Sequence, residues 1–170
     1  MVTDDQRKRA RQIAEAIWNF HNERGHPDNQ IATDQSGIEV LYMGKLAEFE
    51  YTNEHGGTVD DALKAGGDGG IDFKIRLEFT VNVKANSYSG PDPLLMVECS
   101  EIKPDTIYVA AYYDKAKDDV ILQGWAWGAS LIKENSVRRF RRDGPLNFTT
   151  LIAELRNRKF LRDHQVKEIK

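Results

Sequence analysis

Apolar positions recur along this chain with two different periods. From about Asp4 to Asn22, Ala10, Ile13, Ala14, Ile17, Trp18 and Phe20 return near helical spacing, while Arg7, Lys8, Arg9 and Arg11 crowd the first turns. This pattern predicts an amphipathic helix. The stretch ERGHPDNQ, residues 23 to 30, ends it with glycine, proline and turn-forming side chains, and a loop runs on to about Ser36. Ile38, Leu41, Tyr42, Leu46 and Phe49 then repeat at three and four, which predicts a second helix from Gly37 to Tyr51. Glu48 falls seven residues after Leu41 and so lies beside the buried stripe.

Beyond a glycine-rich connection the period changes to two. Ile71, Phe73 and Ile75 share one face and Asp72, Lys74 and Arg76 the other; Phe79, Val81 and Val83 likewise oppose Thr80, Asn82 and Lys84. A tight turn near Leu77 pairs the two runs as an antiparallel hairpin, with Asp72 opposite Asn82 and Lys84 two residues further on the same side. LLMVE (94 to 98), TIYVAAYYD (106 to 114) and DDVILQGWAW (118 to 127) read as further strands, the middle one apolar enough to be central. Residues 129 to 135 suggest a short helix, and FTTLIAELRNRKFL (148 to 161) a closing one. The expected fold class is mixed α/β, a central sheet flanked by helices with an extra helix at the amino terminus.

Composition narrows this picture. At 170 residues and 40% hydrophobic, the chain suits one domain with a real core, organised as an N-terminal helix and linker (1–36) packed on the main α/β domain (37–170). No apolar run approaches the ~20 residues that span a bilayer, and the amino terminus lacks a signal-peptide core. The expectation is a soluble cytoplasmic protein with no membrane partner. Cys99 is the single cysteine, which excludes an internal disulfide and a cysteine-rich metal site. The net charge of -3 does not by itself advertise a nucleic-acid binder, but positive charge is clustered. VRRFRRDG carries Arg138, Arg139, Arg141 and Arg142, and the tail adds Arg156, Arg158, Lys159 and Arg162.

The convergence of Asp72, Asn82 and Lys84 carries the candidate chemistry. Metal-dependent phosphodiester cleavage needs oxygen ligands for a hard cation such as Mg²⁺, plus a positive group near the attacking water. An aspartate on one strand, with an amide and a lysine two apart on its neighbour, supplies that set; Val83, between them, offers its carbonyl while its side chain enters the core. The plain alternative is a half-exposed hairpin face with an ordinary Asp72–Lys84 ion pair. Glycines 66, 67, 69 and 70 allow tight turns that bring Asp72 to the edge of a cleft, and no Gly-Lys-Ser/Thr ending marks an NTP-binding loop. The four histidines show no zinc-ligand spacing, and Trp125 and Trp127 suit core packing better than base stacking.

The segments Gly44-Lys45-Leu46-Ala47-Glu48, Gly67-Asp68-Gly69-Gly70-Ile71-Asp72 and Val81-Asn82-Val83-Lys84-Ala85 together resemble the PD-(D/E)XK nuclease superfamily. The likeness extends more weakly to TIYVAAYYD and GWAWGASL, which are similar to the later elements of small phage and archaeal members, including Holliday-junction resolvase-like proteins. The resemblance implies a restriction-endonuclease-like fold that cleaves DNA with Mg²⁺ or Mn²⁺. It makes Glu48 the helix carboxylate of the metal shell (Glu50 and Glu54 being alternatives), Asp72 the central ligand, Asn82 and the Val83 carbonyl further ligands, and Lys84 the group that orients water and stabilises charge. Asp68 is a second-tier candidate for metal or backbone, or a turn cap. Arg138, Arg139, Arg141 and Arg142 become the candidate DNA-backbone contacts, and cutting both strands or a junction implies a symmetric dimer. Asn82 departs from the pattern, which usually has a carboxylate there: an amide oxygen binds a cation without adding charge. The alternative function is a catalytically inactive nuclease-like domain that binds nucleic acid or a protein partner.

Overall fold

The computed structural model of the chain describes residues 1–23, 36–61, 71–75, 79–134, 136–140, 142 and 144–157. Asp68, Arg141, the glycines between 66 and 70 and the basic tail from residue 158 lie outside the described residues.

Both helical patterns fold as helices, each with a side-chain cap. Asp4–Glu23 forms α1, whose start is closed reciprocally: the Gln6 N–H donates to Thr3 Oγ1 at 3.2 Å and the Thr3 N–H to Gln6 Oε1 at 2.9 Å. Gly37–His55 forms α2, capped by Ser36 Oγ accepting the Glu39 N–H at 3.3 Å, and it runs past the Tyr51 expected from periodicity. Gly56 stops it at φ 82, a conformation that costs a residue with a Cβ, and returns its N–H to the Thr52 carbonyl. Residues from Tyr42 to Tyr51 are buried on nearly every side of α2, because α1 packs against one flank and the sheet against the other.

Phe73–Ile75 (β1), Phe79–Asn86 (β2), Thr106–Asp114 (β4) and Asp119–Trp127 (β5) form a mixed sheet in the order β1-β2-β4-β5. Pairing of Phe73 with Val81 and Ile75 with Phe79 gives β1 and β2 the antiparallel register expected from the sequence and sets Asp72 beside Asn82; the expected turn near Leu77 lies outside the described residues. β4, buried along most of its length, occupies the inner position its apolar run predicts. β2 and β4 are parallel, so the chain must cross over between them. It does so through Leu94–Glu98 (β3), which lies in a second, antiparallel sheet with Val137–Arg139 (β6) and Leu146–Leu151 (β7), in the order β3-β7-β6. Gly128–Glu134 forms the short helix α3.

Two cores result, one on each face of the mixed sheet. Ala10 and Ala14 of α1, Leu46 and Tyr51 of α2, and Val81, Val83 and Val109 of the sheet pack together. Tyr108 and Ala110, which alternate to the other face, pack with Leu95, Val97 and Leu131.

One element is corrected. The closing helix expected from residue 148 is instead the end of β7, followed by a 3-10 turn at Ile152–Glu154 and a bridge from Arg156 to Trp125. Thr149 and Thr150 are β-branched, and the strand set by Leu95 and Val97 gives this segment a partner that periodicity alone does not reveal. The mixed α/β class stands, with a mixed sheet and an antiparallel one. No helix among the described residues is long and apolar enough to cross a membrane.

Candidate functional site

Asp72 immediately precedes β1, at the sheet edge. Its N–H donates to the Val81 carbonyl at 2.9 Å, and its carboxylate Oδ2 accepts the Val83 N–H at 2.5 Å. A strand turns the N–H and C=O of a given residue to the same side, so Val83 directs its carbonyl toward the edge where the Asp72 carboxylate lies. The side chain thus replaces the backbone of β1 for one step of the ladder. This is what the alternation GIDFKI dictates: Phe73 enters the core and stacks on Tyr51, with ring centroids 4.6 Å apart, and Asp72 is left on the opposite side.

Asn82 and Lys84 lie on the face opposite Val81 and Val83, in register with Tyr108 and Ala110 of β4. This face is not a solvated one. Asn82 is only 3% exposed, and its Oδ1 has no hydrogen-bond partner among the described residues. An orphaned buried acceptor costs about 1–3 kcal/mol, so it calls for an explanation. Lys84 keeps 31% of its side chain exposed, and its Nζ stands 3.6 Å from Glu101 Oε2.

Glu101 belongs to the turn between β3 and β4, which is tied down at several points. The Glu101 N–H donates to the Glu98 carbonyl at 3.0 Å, the Lys103 N–H donates to the Tyr108 hydroxyl at 2.9 Å, and that hydroxyl donates to the Glu101 carbonyl at 3.4 Å. Burial pushes the Tyr108 hydroxyl above its ordinary pKa, which keeps it protonated and able to donate. Tyr108 is the cross-strand neighbour of Asn82, so the side chain that fastens the turn rises from the strand position next to the orphaned amide.

Glu48 is buried, and both its oxygens accept from Lys45 Nζ at 2.8 Å; the same ammonium reaches the Asp60 carbonyl at 3.2 Å. α2 packs on the Val81 and Val83 face of the sheet, whereas Asn82 and Lys84 occupy the other. The fold therefore gathers Asp72, Asn82, Val83 and Lys84 at one sheet edge and carries Glu48 on the helical side. Glu50, the alternative to Glu48, takes the amino-terminal ammonium at 2.7 Å.

The oxygen donors at the edge, a carboxylate, an amide and a backbone carbonyl, match a hard divalent cation in type. Among the described residues, no group of three or more His, Cys, Asp or Glu side chains could hold a metal ion. Any such ion would depend on the Asn82 Oδ1 and the Val83 carbonyl as well as on acid groups.

The arginines fall on the second sheet. All three residues of β6 are exposed, and Arg139 Nη1 donates to the Arg142 carbonyl at 3.2 Å. Arg138 lines a groove with Leu94, Ser136, Thr149, Thr150 and Glu154. Asn86, two residues beyond Lys84, donates its amide to the Leu94 carbonyl at 3.3 Å, which links the end of the site strand to one wall of this groove.

The sequence reading missed Glu101 and Tyr108. Their signal was the parallel pairing of β2 with β4, which obliges the connecting segment to cross the Asn82 face; residue spacing within CSEIKPD does not announce it. Comparison with protein families, characterised proteins and solved structures finds no match to the chain.

Proposed function

We propose that the chain is a metal-dependent DNA endonuclease of restriction-endonuclease-like fold, acting on a phosphodiester at the edge formed by Asp72, Asn82 and Lys84. The observation that carries this reading is the hydrogen bond from the Val83 N–H to Asp72, which brings a carboxylate, a backbone carbonyl and the Asn82–Lys84 face together at one edge. Asp72, the Asn82 amide oxygen and the Val83 carbonyl would hold Mg²⁺ or Mn²⁺; Glu48, closed onto Lys45 on the helical side of the sheet, stands outside this set. When bound, such an ion supplies Lewis acidity toward the phosphate and makes water a better nucleophile at neutral pH. Lys84, partly exposed, orients the attacking water and opposes charge building on the phosphate oxygens. Arg138, which lines the groove reached from Asn86, would hold the phosphate backbone together with Arg139 and Arg142 at the exposed β6 edge.

A second reading has its own support. Glu48 is closed onto Lys45 and Lys84 onto Glu101, so two of the reactive groups have internal partners. This favours a nuclease-like domain that binds nucleic acid without cutting it. Labelled linear duplex, single-stranded and four-way-junction DNA, incubated with Mg²⁺ or Mn²⁺, separate the two. The endonuclease predicts cleavage that is lost in Asp72→Ala and Lys84→Ala; binding without cleavage of any substrate selects the second reading.

A further inference from the structure

We infer that Glu101 supplies the second acidic metal ligand, standing in for the carboxylate that Asn82 lacks; this rests on the nuclease reading above. Three observations lead there. Asn82 is almost fully buried and its Oδ1 has no donor, so an acceptor is built into the protein with nothing among the described residues to satisfy it. A cation held by Asp72, one amide and one carbonyl would meet only a single negative charge, and ligand charge count sets the affinity of hard-cation sites. Glu101 is the carboxylate that ion-pairs with Lys84, on the face that Lys84 shares with Asn82, with half its side chain open to solvent.

The turn is built to hold it there. Tyr108, beside Asn82, bonds both the Glu101 carbonyl and the Lys103 N–H. The Ala129 N–H of α3 donates to the Pro104 carbonyl at 3.0 Å, clamping the other end. Such anchoring by a buried tyrosine and a helix fixes the backbone of the turn whose Glu101 carboxylate reaches Lys84, two residues from Asn82 on the same face. In the resting protein Lys84 neutralises Glu101; a divalent ion would take over that carboxylate and release the ammonium toward the phosphate.

Mn²⁺ binding, read as the loss of the free-ion electron paramagnetic resonance signal, tests this without reference to cleavage. Wild type, Glu101→Gln, Asn82→Asp, the double variant and Asp72→Ala are compared, with far-UV circular dichroism confirming that each is folded. The expected result is binding by wild type, a loss of about tenfold or more in Glu101→Gln, and recovery to near wild type when Asn82→Asp is added. If Glu101→Gln binds like wild type while Asp72→Ala does not, or if Asn82→Asp fails to rescue Glu101→Gln, the role of Glu101 is overturned and the nuclease reading stands. If neither wild type nor Asn82→Asp takes up Mn²⁺ at millimolar concentration, both are overturned.

Discussion

Asp118 is the non-glycine residue with positive φ among those described, at 48, and it accepts hydrogen bonds from both the Tyr42 and Tyr113 hydroxyls at 2.9 Å. Arg7 Nε donates to its carbonyl at 2.8 Å, and the Arg11 guanidinium lies 3.8 Å from the Tyr42 ring centroid. One turn between β4 and β5 thus fastens both long helices. Burial, followed by the bond to Asp118, pushes Tyr42 up from 10 to about 12, and the same causes raise Tyr113. The sign follows from proton binding: above the ordinary tyrosine pKa the folded chain holds protons that the unfolded chain releases, so stability is complete below pH 10 and declines as pH rises toward 12. Phenolate absorbance should show these tyrosines titrating after the exposed ones, and Tyr42→Phe should remove one late component and flatten the alkaline loss of stability. An unchanged late titration in Tyr42→Phe would contradict the assignment.

At the scale of elements, the close approach of α3 to the Glu101 turn is the sharpest constraint. A Cβ at Gly128 would stand 2.0 Å from the Lys103 carbonyl oxygen and 3.1 Å from the Tyr108 ring. Gly128→Ala is expected to destabilise the fold by about 1–3 kcal/mol in urea unfolding, since backbone must move to admit the methyl. A Cβ at Gly44 on α2 meets nothing within 4 Å among the described residues, so Gly44→Ala should be neutral or stabilising by up to about 1 kcal/mol. The contrast between the two checks the packing directly.

The pairing of β1 with β2 was legible for a physical reason: two closely spaced alternating runs leave one register in which both apolar faces are buried, and that register places Asp72 against Asn82. Helices α1 and α2 were legible from their stripes. β7 was not, because FTTLIAEL has no strict alternation and its strand state depends on β3, a partner far earlier in the chain. The surroundings of Asn82 were hidden for a similar reason. Alternation assigns a residue to a face, but whether that face meets water depends on what the crossover lays over it.

For the whole molecule, a net charge of -3 coexists with an arginine-bearing edge on the second sheet. If that edge carries a phosphate backbone, DNA binding should weaken steeply with salt, and replacing Arg138 and Arg139 by alanine should lower the slope of log K against log salt by about one for each phosphate no longer neutralised. A slope unchanged by both substitutions would place the nucleic acid elsewhere. The activity proposed for the edge built by Asp72, Asn82 and Lys84 is metal-dependent hydrolysis of DNA. Its most direct test is cleavage of an end-labelled four-way junction and a linear duplex in millimolar Mn²⁺ by wild type and by Asp72→Ala, with binding followed in parallel. Wild type is expected to cut and the variant not to, at equal binding; equal cutting by both, or intact DNA with both, would rule that activity out.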